Sequence, residues 1–61
     1  MYKAFRKDGM EVQKGDEITD FRGEIWIFSD VPQNGKNRVF VKKDGMTREF
    51  FPSVFDLEIH E

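Results

Sequence analysis

The chain carries at its centre Glu24-Ile25-Trp26-Ile27-Phe28-Ser29-Asp30-Val31 and, after a loop at residues 32–37, Arg38-Val39-Phe40-Val41-Lys42-Lys43. Both stretches are rich in β-branched and aromatic residues, which favour strands. Asn34-Gly35 lies between them and Asp44-Gly45 follows the second, so neither stretch has room for a helix of ordinary length. We therefore predict two neighbouring antiparallel strands.

Turn signals divide the rest of the chain into similarly short segments. Asp-Gly occurs twice in near-identical contexts, at residues 8–9 and 44–45, and Asp-Gly favours a tight hairpin turn because both central residues need positive φ. The predicted strands cover residues 2–7, 10–12, 17–21, 24–31, 38–43, 46–51 and 56–60. Pro52-Ser53-Val54-Phe55 predicts one turn of 3₁₀ helix, because Pro fixes φ and cannot donate to a strand ladder.

The composition indicates a small domain that is held together by packing alone. The chain has 61 residues, no Cys and one His, so a disulfide framework and the usual nitrogen and sulfur ligands of zinc are missing. Seven Phe, one Trp and one Tyr supply large apolar side chains for a core. We predict a single domain over residues 1–61.

Strand alternation sorts side chains to the two faces of a sheet. We expect the branched aliphatic side chains to face the core and the aromatic rings to face outward. The inward set is then Ile25, Ile27, Val31, Val39 and Val41, and the outward set is Trp26, Phe28, Asp30, Arg38, Phe40 and Lys42.

A hairpin register supports this assignment. It places Asp30 opposite Arg38, Phe28 opposite Phe40 and Trp26 opposite Lys42, which are all favourable cross-strand pairs. A two-residue turn at Asp44-Gly45 then places Phe50 inward against Val39 and Phe51 outward near Arg38.

The predicted outer face would be aromatic with a charged rim, a composition typical of binding hot spots. We therefore expect a protein partner there, and the predicted contact residues are Trp26, Phe28, Arg38, Phe40, Lys42 and Phe51. Two alternatives stay open: a second copy of the chain could cover this face as a homodimer, or the N-terminal hairpin with Tyr2, Phe5 and Val12 could cover it.

The order of motifs resembles a known fold. Gly15-Asp16-Glu17-Ile18 is followed by a Gly-centred bend, a long strand, a basic hairpin and Phe51-Pro52-Ser53-Val54-Phe55-Asp56-Leu57. This resembles an SH3-like barrel, whose last two strands are commonly joined by a Pro-Ser one-turn helix. The resemblance implies a small five-stranded SH3-like barrel over residues 15–60, with a one-turn 3₁₀ helix before the last strand. The turn and strand signals add an extra N-terminal β-hairpin over residues 1–14, so we predict an all-β fold.

Two segments together resemble a narrower group. Asp20-Phe21-Arg22-Gly23-Glu24 and Arg48-Glu49-Phe50-Phe51-Pro52-Ser53-Val54-Phe55 are similar to small orphan proteins of unknown function encoded in bacteriophage and prophage genomes. The resemblance implies a phage or prophage origin and action in the bacterial host cytoplasm, with a host or phage protein as partner. The chain lacks the Tyr-rich motif of peptide-binding SH3 domains, so it does not predict recognition of proline motifs.

Nucleic acid is the alternative partner. Residues 36–48 hold five basic residues and one acidic residue. A small barrel that carries cations beside aromatic rings can bind a phosphate backbone while bases stack on the rings. The candidate residues are Lys36, Arg38, Lys42, Lys43 and Arg48. The sequence pI of about 5.3 argues against this reading, because counterion release favours strongly basic domains.

We predict no enzymatic activity, no catalytic residues, no metal site and no cofactor. A Ser, a His and several carboxylates are present, but His60 is the penultimate residue, where a catalytic base would be poorly held. The glycines are single and precede strands, so no phosphate-binding or dinucleotide loop is indicated. The longest apolar run is Ile25-Trp26-Ile27-Phe28, and without a signal-peptide pattern we expect a cytoplasmic protein with no membrane contact.

Overall fold

The computed structural model describes residues 1–34 and 37–61. Its regular structure there consists of six strands and one turn of 3₁₀ helix. In chain order these are β1 (Lys3–Arg6), β2 (Glu17–Thr19), β3 (Ile25–Asp30), β4 (Val39–Lys43), β5 (Met46–Phe50), η1 (Pro52–Phe55) and β6 (Leu57–His60). The prediction of an all-β chain with one 3₁₀ turn at Pro52-Ser53-Val54-Phe55 is confirmed.

The strands form two antiparallel sheets. β2, β3, β4 and β5 lie side by side in that order, and β1 pairs with β6 in a separate two-stranded sheet. Among the described residues no strand pairing joins the two sheets into a closed barrel. The two-stranded sheet instead ties the first strand of the chain to the last.

The core lies between the two sheets, and both contribute to it. Ala4 comes from β1 and Leu57 from β6, while the four-stranded sheet contributes most of the remainder. The buried residues of the core are Ala4, Val12, Ile18, Trp26, Phe28, Val31, Val39, Val41, Phe55 and Leu57.

Three rings pack edge to face at one end of this core. The Trp26 and Phe50 ring centroids are 5.2 Å apart, and the Phe55 centroid is 5.8 Å from that of Phe50. Phe55 is the last residue of η1, which is capped by Asp56; its φ of 58° is left-handed, and its backbone N–H bonds the carbonyl oxygens of Pro52 and Ser53. Edge-to-face pairs of this kind add to the stabilisation from burial.

The predicted sorting of β3 side chains is wrong. Trp26 and Phe28 are only 7% and 5% exposed, whereas Ile25 and Ile27 are 55% and 37% exposed. The rings therefore face the core and the isoleucines face outward. The predictions for Val31, Val39 and Val41 are confirmed, because all three are buried.

A β-bulge explains the error. Phe28 pairs with Val41, but Asp30 pairs with Phe40, so Ser29 is an extra residue in β3 with no partner in β4. An extra residue inverts the side-chain phase on either side of it. Phe28 and Val31 can therefore both face the core. The predicted pairs of Asp30 with Arg38, Phe28 with Phe40 and Trp26 with Lys42 are also wrong, because Asp30 lies opposite Phe40 and Lys42 lies opposite Ile27.

The β4–β5 hairpin follows the prediction. Asp44 and Gly45 have φ values of 52° and 75°, as a two-residue turn with positive φ at both positions requires. This turn places Val39 opposite Phe50, which packs against the core. Phe51, as predicted, is exposed and lies beside Arg38.

The N-terminal segment folds back on β1 through a longer turn. Arg6 donates its backbone N–H to the Met10 carbonyl, and Gly9 donates to the Arg6 carbonyl. Residues 10–12 were predicted as a strand but form only an isolated bridge between Phe5 and Glu11. Val12 lies in one core cluster with Trp26 and Phe28, and Tyr2 packs against that cluster. The N-terminal segment therefore helps to bury these two rings, as the alternative expected, whereas Phe40 lies on the opposite face.

Candidate protein-interaction surface

The face of the four-stranded sheet that points away from the core is called here the outer face. Cross-strand partners in a sheet share a face, so the register assigns its members. They are Glu17, Thr19, Ile25, Ile27, Asp30, Phe40, Lys42, Thr47 and Glu49, with Arg38 and Phe51 at the ends of β4 and β5.

An apolar stripe crosses the outer face. Ile25 and Ile27 lie on β3, Phe40 lies diagonally from Ile27 on β4, and Phe51 follows the end of β5. Ile25, Ile27 and Phe51 are exposed and Phe40 is half-buried. The sheet therefore presents three large apolar side chains to solvent on one face.

Charged side chains alternate with this stripe. Ile27 lies between Glu17 on β2 and Lys42 on β4, and Phe40 lies between Asp30 and Glu49. Both signs of charge border the same apolar row. This arrangement can orient a partner through its polar groups while the apolar side chains supply the buried area.

Arg38 holds Phe51 in place at one end of the stripe. The Arg38 guanidinium carbon lies 3.9 Å from the centroid of the Phe51 ring. Stacking of this kind orders both side chains before any partner arrives. Of the six predicted contact residues, Arg38, Phe40, Lys42 and Phe51 lie on the outer face, whereas Trp26 and Phe28 are in the core.

The opposite side of the sheet is organised by Asp20. Its Oδ1 accepts hydrogen bonds from the backbone N–H groups of Arg22 and Glu24, both at 2.9 Å, and its Oδ2 accepts one from the Trp26 indole at 3.0 Å. Burial acts to raise the pKa of Asp20, but these three hydrogen bonds, the one from Trp26 above all, outweigh it and hold the pKa below its ordinary value. Asp20 thus ties the β2–β3 turn to the buried Trp26.

A cleft lies between the β2–β3 turn and β5, and we call it the β5 cleft. It has a volume of about 350 Å³. Trp26 and Phe50 form its apolar floor. Its walls carry Arg22, Glu24, Lys43, Asp44, Met46 and Arg48. Glu24 Oε2 lies 3.1 Å from Arg22 Nη2 and 3.6 Å from Lys43 Nζ, and Lys43 Nζ also lies 5.0 Å from the Trp26 ring centroid.

The structure divides the residues of the predicted nucleic-acid surface. Arg38 and Lys42 belong to the outer face, whereas Lys43 and Arg48 line the β5 cleft on the other side of the sheet. Lys36 lies outside the described residues. The four described cations therefore do not form one continuous basic patch.

A third polar cluster lies on the two-stranded sheet. Lys7 Nζ is 3.3 Å from Glu58 Oε2, and His60 Nε2 is 3.3 Å from Glu58 Oε1. The hydrogen bond from Lys7 and its positive charge, with a smaller contribution from His60, lower the pKa of Glu58. All three side chains are about half exposed or more, so this is a solvated ion cluster.

Sequence reasoning missed Ile25, Ile27 and Arg22. The two isoleucines were assigned to the core, and Arg22 was part of a motif without an assigned role. A buried tryptophan needs an acceptor for its indole N–H, and Asp20 at the start of the turn offered one. That pairing is the signal that would have placed Trp26 inside and its neighbours outside.

The described residues were also searched for a metal site and for a membrane-spanning helix. No group of three or more His, Asp or Glu side chains within residues 1–34 and 37–61 is arranged to hold a metal ion. No helix in these same ranges has the length and apolar character needed to cross a membrane. Comparisons of the chain with family models, curated proteins and solved structures give no match.

Proposed function

We propose that this protein is a non-enzymatic interaction module that binds a partner protein through the outer face of its four-stranded sheet. The observation that carries the proposal is the exposure of Ile25, Ile27 and Phe51 on one face, while smaller aliphatic side chains are buried. A chain of 61 residues has little apolar surface to spare. Three large exposed side chains in one row are therefore better explained by an interaction than by packing.

The proposed partner surface is apolar at its centre and charged at its edges. Glu17 and Lys42 flank Ile27 from two sides, so a partner gains most if it carries a basic and an acidic group at the matching distance. The stacked pair of Arg38 and Phe51 is already ordered and loses little side-chain entropy on binding. Aromatic and Arg side chains are the residue types most often found at hot spots.

Two finer expectations belong to the same proposal. We propose an SH3-like arrangement over residues 15–60, and the one-turn helix that leads from β5 into β6 supports it. The origin in a phage or prophage, the host cytoplasm as the place of action, and a host or phage protein as partner are proposed from the sequence resemblance.

Capture from bacterial lysate with matched variants tests the proposal. Ile25→Glu and Phe51→Glu each place one negative charge on the outer face, and Met10→Glu places the same charge on an exposed residue elsewhere. We expect a partner that the wild type and Met10→Glu retain and both face variants lose. Loss with Met10→Glu as well, or retention by both face variants, would contradict the proposal.

Sedimentation of the purified variants distinguishes a partner from a second copy. We expect the wild-type protein to sediment as a monomer at micromolar concentration. A dimer that Ile25→Glu dissociates would assign the outer face to self-association instead. Nucleic acid stays the alternative partner, with less support, because the described basic residues are divided between two sides of the sheet.

A further inference from the structure

We propose that the β5 cleft is a second docking site, which takes an acidic, extended segment of a partner protein. The segment adds as a strand to the open edge of β5 and places a carboxylate against Arg48. This site uses the side of the sheet opposite to the outer face and does not depend on the function proposed above.

The first observation is the open edge of β5. β5 is the last strand of its sheet and pairs only with β4. The two-residue turn makes Lys43 and Met46 a hydrogen-bonded pair, and hydrogen-bonded pairs alternate with non-hydrogen-bonded pairs along an antiparallel ladder. Thr47 and Glu49 belong to non-hydrogen-bonded pairs, so their backbone N–H and C=O groups point away from β4. No backbone hydrogen bond from the described residues reaches these groups.

The second observation is the charge beside that edge. Three basic residues (Arg22, Lys43 and Arg48) and two acidic ones (Glu24 and Asp44) line the cleft. Glu24 Oε2 is shared by Arg22 and Lys43. Within the described part of the chain, no carboxylate lies within ion-pair distance of Arg48. Arg48 lines the cleft and is exposed, so its guanidinium is available to an external acidic group.

Strand addition brings these two features together. Residues directly opposite each other in paired strands share a face. A residue of the added strand that lies opposite Arg48 therefore points its side chain over the cleft, and a carboxylate there can form a bidentate pair with the guanidinium. Main-chain hydrogen bonds to Thr47 and Glu49 supply affinity, and the Arg48 pair supplies selectivity for acidic segments.

A second copy of this chain fits the edge poorly. The antiparallel register that pairs all five residues of β5 with a symmetry-related β5 places Arg48 opposite its own equivalent. A shift toward Phe50 places Glu49 opposite its equivalent instead, and a shift toward Met46, which places Thr47 opposite its equivalent, pairs only residues 46–48 of β5. Like charges directly opposite each other are destabilising, so the edge favours a strand with a different charge pattern.

The floor of the cleft favours a peptide over a nucleic acid. Bases bind single-strand sites by stacking on the open faces of rings. Trp26 is buried, and its ring already packs edge to face with that of Phe50. An acidic segment needs no ring face, because its backbone binds β5 and its carboxylate binds Arg48.

Titration with a designed peptide tests the proposal. The probe is an eight-residue peptide that alternates Thr and Glu, with both ends blocked, and its control carries Lys in place of Glu. We expect the Glu peptide to cause saturable shifts of the Thr47 and Glu49 amide resonances and a change in the fluorescence of Trp26, the one Trp in the chain. We expect the Lys peptide to cause neither.

Matched variants locate the site. Arg48→Glu and Lys42→Glu change the net charge equally, but Arg48 lines the cleft and Lys42 lies on the outer face. We expect Arg48→Glu to weaken binding of the Glu peptide by about tenfold or more and Lys42→Glu by about twofold or less. Thr47→Pro removes an N–H from the open edge and should abolish the shift of the Glu49 amide, whereas Thr47→Val should retain it.

Three results would overturn the proposal. One is the absence of saturable binding at millimolar Glu peptide with the folded wild-type protein. Another is equal weakening by the two charge reversals, which would show non-specific attraction. The third is tighter binding of an oligothymidylate that displaces the Glu peptide, which would assign the cleft to nucleic acid. Circular dichroism of each variant confirms that a loss of binding is not a loss of the fold.

Discussion

Replacing Phe28 and Ile25 separately by Ala measures which side of β3 faces the core. Phe28 is 5% exposed and lies opposite the fully buried Val41, whereas Ile25 on the same strand is 55% exposed. Both variants keep Trp26, so its fluorescence follows unfolding in each of them. The two substitutions therefore shorten side chains on opposite faces of the same strand.

Burial sets the expected free-energy changes. Removing a buried Phe side chain costs about 3–5 kcal/mol, because transfer and cavity terms add. Full burial of an Ile side chain contributes about 1.5–3 kcal/mol, and Ile25 retains more than half of its exposure, so Ile25→Ala should cost about 1 kcal/mol. A domain of this length has a total stability of about 3–9 kcal/mol. Phe28→Ala should therefore remove most of the stability, and Ile25→Ala only a small part.

Urea unfolding followed by Trp26 fluorescence and by circular dichroism gives both values. With a slope of about 1 kcal/mol per molar urea for a small domain, we expect the midpoint to fall by about 1 M in Ile25→Ala. Phe28→Ala should be largely unfolded without urea, or nearly so. A larger loss in Ile25→Ala than in Phe28→Ala would refute the assignment of faces and with it the proposed outer surface.

Three further predictions concern single contacts. The lowered folded-state pKa of Asp20 means that this carboxylate stabilises the fold above its ordinary pKa, and that the contribution is lost as the pH falls through the folded-state value, below about pH 4. Asp20→Asn should therefore be less stable at pH 7, and its acid unfolding should depend less on pH. An acid unfolding profile equal to that of the wild type would contradict this role. Asp44 has left-handed φ, so Asp44→Val should cost about 1–2 kcal/mol in thermal unfolding, whereas a cost as large in Asp44→Gly would point to a role of the side chain. Arg38→Ala should lose about 0.5–1 kcal/mol and broaden the range of Phe51 ring positions seen by NMR, because the cation no longer lies over the ring.

Local sequence features predicted most of the secondary structure. Asp44-Gly45 indicated a two-residue hairpin, and this hairpin alone determines that Val39 lies opposite Phe50. Pro52-Ser53-Val54-Phe55 indicated a one-turn helix for an equally local reason. Such signals depend on the φ values that individual residues accept, so they can be read without knowledge of distant contacts.

The orientation of β3 could not be read in the same way. Ile25-Trp26-Ile27-Phe28 is apolar on both faces, so alternation shows which residues share a face but not which face is buried. The choice depends on the bulge at Ser29 and on the partner that Asp20 offers to the Trp26 indole. The bulge and the Asp20–Trp26 hydrogen bond are both set by tertiary contacts. The β3 residues of the candidate site depend on these contacts, so the sequence predicted only part of the site.

The unpaired Ser29 is dispensable for the division of β3 into a core face and an outer face. A substitution at Ser29 leaves the number of residues between Phe28 and Asp30 unchanged, so the faces of the strand stay as they are. A deletion of Ser29 would bring Phe28 and Asp30 next to each other, opposite Val41 and Phe40, so the ladder would become regular and both side chains would keep their faces. The loss of a residue between Ile25 and Phe28, where the ladder is regular, would instead exchange the core face and the outer face on one side of the loss.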